Sequence, residues 1–447
     1  MAEQPKSVGV LDSLPDHILC QILSFLPAKE AARTSVLSPR WRYLFLSSIS
    51  ILDFKSCIGV FKKDDTFLNF LDRFFSNPNL LSLESFRVND LWVNPDFSYD
   101  DDYLRIHGWI CAALRRDVKE IVIFSIKKKD DLTSPALLFT SHTLVTLKLK
   151  INGVNDVPTN ASLPNLKTLH FTFFEFLDGN SVLKLISSCP VLEDFAFIMC
   201  WFHKISELNI RSLSLKSLVL RWSFGAGFNS RRGYNAIKIN APNLVYFQYV
   251  NGMGEGCTLS EMKSLERAHI EIILMDNEDR ERAANLLRGV CNVQSLYLAI
   301  EDDSETLFLA PLDPMPAFNS LVELEFRSKY THDRQRTWIV EFIHRTPNLK
   351  TLILDLPSKS EGFESMPTIV PSCLLFQIKQ IEIKHFEGEE PTFEMVSYFL
   401  KHGSVLEKLI IRDIKVCEEE LSAVIEKLLS LPKESKKCEI VTPDYFH

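Results

Sequence analysis

From about residue 83 onward, one arrangement of apolar positions recurs: apolar, two residues, apolar, one residue, apolar. Leu144, Leu147 and Leu149 form one copy, and Leu166, Leu169 and Phe171 the next. The series runs through Leu192, Phe195 and Phe197 to Leu406, Leu409 and Ile411. Two looser copies precede it, at Leu83, Phe86, Val88 and at Val118, Ile121, Ile123. From residue 144 the first positions are 22, 26, 23, 29, 21, 28, 28, 28, 29 and 28 residues apart. The last two apolar positions of each copy flank a single outward one, as in a short strand with one face buried. Between copies, at 180–188, 279–290, 336–345 and 392–402, apolar residues fall three and four apart, which predicts helices. Strand then helix, repeated over short connections, predicts an α/β solenoid curved into a horseshoe, with parallel strands inside and helices outside. Pro164, Pro190, Pro242 and Pro347 stand just before strands, where a proline stops the preceding helix and extends the chain. An ordinary α/β domain is the alternative, and eleven copies in phase weigh against it.

The first 45 residues follow a helical period. Ile18, Leu19, Ile22, Leu23, Phe25 and Leu26 fall within 15–26 and cover well over half of a helix circumference. Ser13, Leu14, Pro15 and Asp16 predict its start, with Asp16 complementing the positive end of the helix dipole, and Pro27 predicts its end. A short second helix is expected over 31–36. Ser38 and Pro39 then supply an N-cap and a first residue for a third helix, which carries Trp41, Leu44 and Phe45. About 35 residues cannot enclose this much apolar surface in a core of their own. Three such helices are expected to dock on another protein.

The 447 residues are 46% hydrophobic and 24% charged, the balance of a well-buried soluble protein. A net charge of −8 argues against nucleic acid or an anionic membrane as the main partner. No secretory start is visible and no apolar run reaches the roughly 18 residues of a membrane span. The ten cysteines lack paired spacing and read as reduced, mostly buried thiols, so the sequon at Asn160 is expected to be a chance match. A cytoplasmic or nuclear protein, or one shared by both, is expected.

Catalytic patterns are missing. Gly252, Gly254 and Gly256 lack the lysine and hydroxyl residue of a phosphate loop and predict a turn. Cys200 and His203 have metal-like spacing without a second pair. Lys127, Lys128 and Lys129 run into Asp130 and Asp131, a solvated mixed-charge loop. No catalytic residue, metal or cofactor is therefore expected, and the chain is read as a non-enzyme.

Recognition is expected on the outward strand positions of the concave face: Lys148, His170, Ala196, Val219, Gln248, His269, Tyr297, Glu325, Ile353, Glu382 and Ile410. Their mixed character suits a protein better than a polyanion. The long insertion at 221–235 adds Trp222, Arg231, Arg232 and Tyr234, residue types that anchor interfaces. Trp222, Arg231, Arg232, Tyr234, Lys148, Glu325 and Glu382 are the candidate target-binding residues.

The repeat length is that of leucine-rich repeats. The opening stretch resembles an F-box in its plant form, through Leu14-Pro15-Asp16, 22–27, Lys29, Ala31, 34–38 and Arg40-Trp41-Arg42 in register. It departs from the family at Pro39, where lysine is usual. Residues 371–412, followed by Cys438-Glu439-Ile440-Val441, resemble the FBD module that follows such repeats. A last helix at 418–429 is expected to close the solenoid. The resemblance implies a flexible start (1–8), a three-helix F-box (9–55), leucine-rich repeats (56–365) and an FBD cap (366–447). It also implies a Skp-type adaptor as partner and, through it, a cullin-RING ubiquitin ligase, with an unidentified target protein on the repeats. The surplus apolar face and the motif register together nominate Leu14, Pro15, Ile18, Leu19, Ile22, Leu23, Leu26, Leu37 and Trp41 as adaptor contacts. A scaffold bound to the adaptor alone and, less well supported, a small-molecule sensor are the alternatives.

Overall fold

The computed structural model describes residues 10–443 except 27, 49, 55–65, 78–82, 93–98, 127–134, 156, 205–206, 222–235, 253, 261, 275–276, 303–314, 329–334 and 356–365. The chain divides into two compact units, Met1–Lys204 and Ile205–His447.

Unit 1 opens with a 3-10 turn, Val10–Ser13, and three helices, α1 (Asp16–Ser24), α2 (Ala28–Thr34) and α3 (Pro39–Ser48). Pro15 occupies the N-cap position, and α2 begins three residues earlier than the sequence pattern predicts. Ala28 and Ala31 are both buried, which gives α2 a packed face from its first residue. Parallel strands follow in chain order: β1 (Ile51–Phe54), β2 (Ser85–Trp92), β3 (Glu120–Ile126), β4 (Thr146–Asn155), β5 (Thr168–Asp178) and β6 (Asp194–Ile198). β7 (Trp201–Lys204) pairs with the far end of β5. An aromatic series ties the helices to the strands. Phe45 of α3 lies 6.2 Å from Phe74, Phe74 lies 5.5 Å from Phe75, and Phe75 lies 5.0 Å from Phe86 of β2.

In unit 2 a parallel sheet runs β9 (Ser217–Arg221), β11 (Tyr246–Gly252), β13 (Arg267–Leu274), β14 (Ser295–Asp302), β15 (Glu323–Ser328), β16 (Thr351–Asp355), β17 (Gln380–Lys384), β18 (Lys408–Ile411) and β19 (Glu439–Val441). Helices Asn277–Gly289, Gln335–Ile343, Glu390–His402 and Glu418–Ser430 start and stop within two residues of the expected spans. One feature differs from expectation. β8 (Glu207–Arg211), β10 (Ala236–Asn240) and β12 (Cys257–Ser260) form a second, three-stranded parallel sheet in connections where helices are the usual element. The alternation Leu208, Ile210 and Ile237, Ile239 explains it, because a period of two buries one strand face and leaves the other to solvent.

All thirteen apolar triplets are buried. Equivalent positions are Cα partners on neighbouring strands: Leu147 with Leu169 and Leu169 with Phe195, Leu149 with Phe171 and Phe171 with Phe197. Each strand thus covers the apolar side of the last, at roughly 1.5–3 kcal/mol per fully buried Leu or Phe side chain. The turn before each strand is tied to the preceding repeat. The N–H groups of Val245 and Tyr246 both donate to the Lys216 carbonyl, at 2.8 and 3.0 Å, and the same pair of bonds recurs along both units. An asparagine adds a third tie in three copies. Asn165, Asn243 and Asn348 donate through Nδ2 to the carbonyls of His142, Leu213 and Asn319, at 2.7, 2.7 and 2.8 Å.

No helix among the described residues is long and apolar enough to cross a membrane. Among the described residues nine cysteines are free, six of them buried and Cys417 exposed. Burial pushes the Cys200 thiol up to about 12 and those of Cys189 and Cys373 to about 11, so these side chains behave as small apolar groups.

Candidate functional site

The three N-terminal helices are held by a clamp between their ends. Arg40, in the first turn of α3, donates to the Leu14 carbonyl at 2.6 Å and to Asp16 Oδ1 at 2.6 and 2.9 Å. Asp16 therefore does more than complement the dipole of α1, since it fixes α1 against α3. Ser38 caps α3 by accepting from the Trp41 N–H at 3.3 Å, and Pro39 stands at the first helical position, where its missing N–H costs nothing.

This frame sorts the nine nominated adaptor contacts. Leu19, Leu23 and Trp41 are buried, together with Ala28, Ala31, Leu44 and Phe45. They form the small core of the three helices, so three of the nine nominated residues lie inside the bundle. Spacing of four along α1 turns Leu19 and Leu23 onto the same side, where α1 packs on α3. Leu14 and Ile18 are half-buried, while Pro15, Ile22, Leu26 and Leu37 are exposed. Two residues absent from the nomination are the most exposed large apolar groups here: Phe25 at 79% and Val36 at 85%. Phe25 is the C-cap of α1 and Val36 sits in the turn after α2. Element ends were the signal, because a side chain just past a helix leaves the face its period predicts.

The second candidate is the open face of the strands. In unit 2 the predicted row is in register from Val219 through Gln248, His269, Tyr297, Glu325, Ile353 and Glu382 to Ile410. In unit 1, Lys148, His170 and Ala196 are likewise partners. Lys148 is half-buried, and His170 Nε2 lies 2.7 Å from Asp194 Oδ2. Two of the nominated carboxylates are already engaged. Glu325 pairs with Lys384 at 2.6 Å, and Glu382, only 7% exposed, pairs with Arg412 at 2.9 Å. Each of these two nominated carboxylates therefore meets a cation from its own chain. Further along, His269 stacks on Tyr297 at 4.1 Å and 10°, with Nε2 2.6 Å from Glu271 Oε1. Arg327 donates to the Tyr297 hydroxyl and lies 3.5 Å from Asp355. Trp222, Arg231, Arg232 and Tyr234 lie outside the described residues, as does the lysine run at 127–129. Among the described residues no group of three or more His, Cys, Asp or Glu side chains could hold a metal ion.

Three family models match the chain: an F-box domain over residues 11–52, the repeats of FBD-associated F-box protein At5g56370 over 106–245, and FBD over 366–411. Full-length similarity extends to proteins of Arabidopsis thaliana. F-box/FBD/LRR-repeat protein At2g26030 is 28% identical over 449 residues, covering 96% of this chain and 98% of the relative. F-box protein At3g44060 is 30% identical over 444 residues, covering 96% and 99%. F-box/FBD/LRR-repeat protein At5g22660 is 29% identical over 452 residues, covering 96% and 95%.

Proposed function

Because the chain belongs to the plant F-box/FBD/LRR-repeat family, we propose that it is the substrate-receptor subunit of an SCF-type ubiquitin ligase. In this reading the F-box holds a Skp-type adaptor, and through it a cullin, while the strand face of the repeats holds a target protein. The observation that carries the reading is the exposure of Phe25, Val36 and Leu37 on a three-helix segment whose own core is already filled by Leu19, Leu23 and Trp41. Apolar side chains that exposed are stabilised by a partner that removes them from water. The chain then makes and breaks no bonds. It raises the effective concentration of the target at the conjugating enzyme, in the cytoplasm or nucleus where that machinery operates.

The test is affinity purification of the tagged chain from plant cells, with adaptor and cullin measured together. Recovery of both is expected, and loss of both in a Phe25→Ala, Val36→Ala double variant. Adaptor without cullin under every condition would make the chain a scaffold outside ubiquitination. Recovery of neither removes the receptor reading altogether.

A further inference from the structure

The open face of unit 2 carries an order of charge running across its strands. Arg221, Val250, Glu271, Ala299 and Arg327 are successive Cα partners across β9, β11, β13, β14 and β15. All five alternate with core residues on their strands, so they share the open face. The row reads cation, small apolar, anion, small apolar, cation. Neighbouring strands are about 4.8 Å apart, so successive charges stand about 9.6 Å apart. Arg221 and Arg327 are exposed and Glu271 is half-buried, whereas Ala299 is buried and keeps the floor low between charges. The hydrogen bond with His269, and then the positive charge of His269, Arg221 and Arg327, hold the Glu271 carboxyl below its ordinary value against the opposing effect of burial. It is therefore an anion at neutral pH. Arg327 meets Asp355 and Tyr297, yet with five N–H donors and half its side chain exposed it keeps donors for a partner.

A chain crossing these strands at right angles must match that spacing. A β-strand returns a side chain to one face about every 6.7 Å, which misses it. A polyproline II helix returns one every third residue, about 9.3 Å, which fits to within about 0.3 Å per step. We propose that the row Arg221, Val250, Glu271, Ala299, Arg327 is a track for a polyproline II segment of the target with the pattern acid-x-x-base-x-x-acid. The intervening residues lie over Val250 and Ala299, and proline suits them because it pre-forms this helix at low entropic cost. The pattern is its own mirror image, so either chain direction satisfies the charges. Toward the FBD the face offers less, since Glu325 and Glu382 are neutralised by Lys384 and Arg412. The inference rests on the receptor reading and names the chemistry of its target.

Fluorescence anisotropy with the full chain in complex with its adaptor tests the track. The probes are labelled peptides Glu-Pro-Pro-Lys-Pro-Pro-Glu and its charge mirror Lys-Pro-Pro-Glu-Pro-Pro-Lys. The first is expected to bind at least about tenfold more tightly. Arg221→Glu removes that preference, and Arg221→Glu, Glu271→Lys, Arg327→Glu together reverse it. Should the triple variant fail to fold, Glu271→Gln, which keeps shape and removes charge, is expected to reduce the preference with only a small fall in melting temperature at neutral pH. Equal binding of the two peptides, binding of neither, or a preference untouched by Arg221→Glu overturns the track. Adaptor and cullin retention on the same preparations separates the two levels. If both are retained while the peptides fail, the track alone is wrong; if the cullin is absent, the receptor reading fails on its own account.

Discussion

Phe25 and Phe195 belong to the same residue type, yet one is 79% exposed and the other fully buried. Phe25 ends a nine-residue helix in a three-helix segment, and Phe195 sits mid-strand, paired with Leu169 and 4.5 Å from the ring of Phe197. The difference lies in how each region closes its core. A repeat cannot bury its apolar triplet alone, but its neighbour supplies the missing surface, so stacking leaves almost none over. Three short helices share most of their core among themselves, with Phe45 reaching Phe70 and Phe74 of the next helix, and Leu19, Leu23, Trp41 and Leu44 fill the space between them. The remaining apolar residues face outward. In the helices, then, large apolar side chains are left exposed, while on the strands the exposed positions fall to the residues between the apolar ones, which are consumed by packing.

The comparison breaks most sharply at its buried end. Phe195→Ala opens a cavity beside Leu169, Phe171 and Phe197 and is expected to destabilise unit 1 by about 3–5 kcal/mol, read by urea or thermal unfolding. A loss below about 1 kcal/mol would mean that the strands do not depend on their triplets. The next effect separates the two kinds of F-box residue. Phe25→Ala, Val36→Ala is expected to leave the melting temperature unchanged and to weaken adaptor binding about 30- to 1000-fold, or roughly 2–4 kcal/mol. Leu23→Ala should do the reverse in cause, losing about 2–5 kcal/mol of stability and adaptor binding only as a consequence. Smaller again is the Asn tie between repeats. Asn348→Ala removes one donor to the Asn319 carbonyl and is expected to cost about 1 kcal/mol in the unfolding of unit 2.

The architecture was legible wherever a period carries it. The triplets mark thirteen strands, β2 to β6, β9, β11 and β13 to β18, and the helical spans between them are found within two residues because their period is 3.6 rather than 2. β8 and β10 were equally legible in Leu208, Ile210 and Ile237, Ile239, and were hidden only by the expectation of a helix in each connection. The candidate sites were harder. A helical period says which side chains are apolar but not which of them a neighbouring helix covers, so Leu19 and Phe25 look alike until α3 is in place. Glu325 and Glu382 look free because their partners, Lys384 and Arg412, are 59 and 30 residues away and arrive only through strand register. Long-range pairing of this kind leaves no local trace.

The smallest expected effect concerns pH and the charged row of unit 2. Glu271 has its folded-state pKa lowered from the ordinary value of 4.5, chiefly by the hydrogen bond with His269 and then by nearby positive charge, with burial opposing. A group whose pKa is depressed by folding stabilises the fold above its unfolded value and loses that contribution as pH falls through the folded one. The Glu271 contribution is therefore complete at neutral pH, begins to fade near pH 4.5 and is gone below the lowered value. Its side chain is about one-third exposed, so solvent screening holds the effect below about 1 kcal/mol. Melting temperatures of the natural chain and of Glu271→Gln between pH 7 and pH 3 read it directly. The natural chain is expected to melt higher at pH 7 and the two curves to converge below pH 4.5. Parallel curves would mean that His269, Arg221 and Arg327 do not stabilise this carboxylate, and the alternation of charge along the row would then be a property of exposed side chains acting independently rather than of a preformed site.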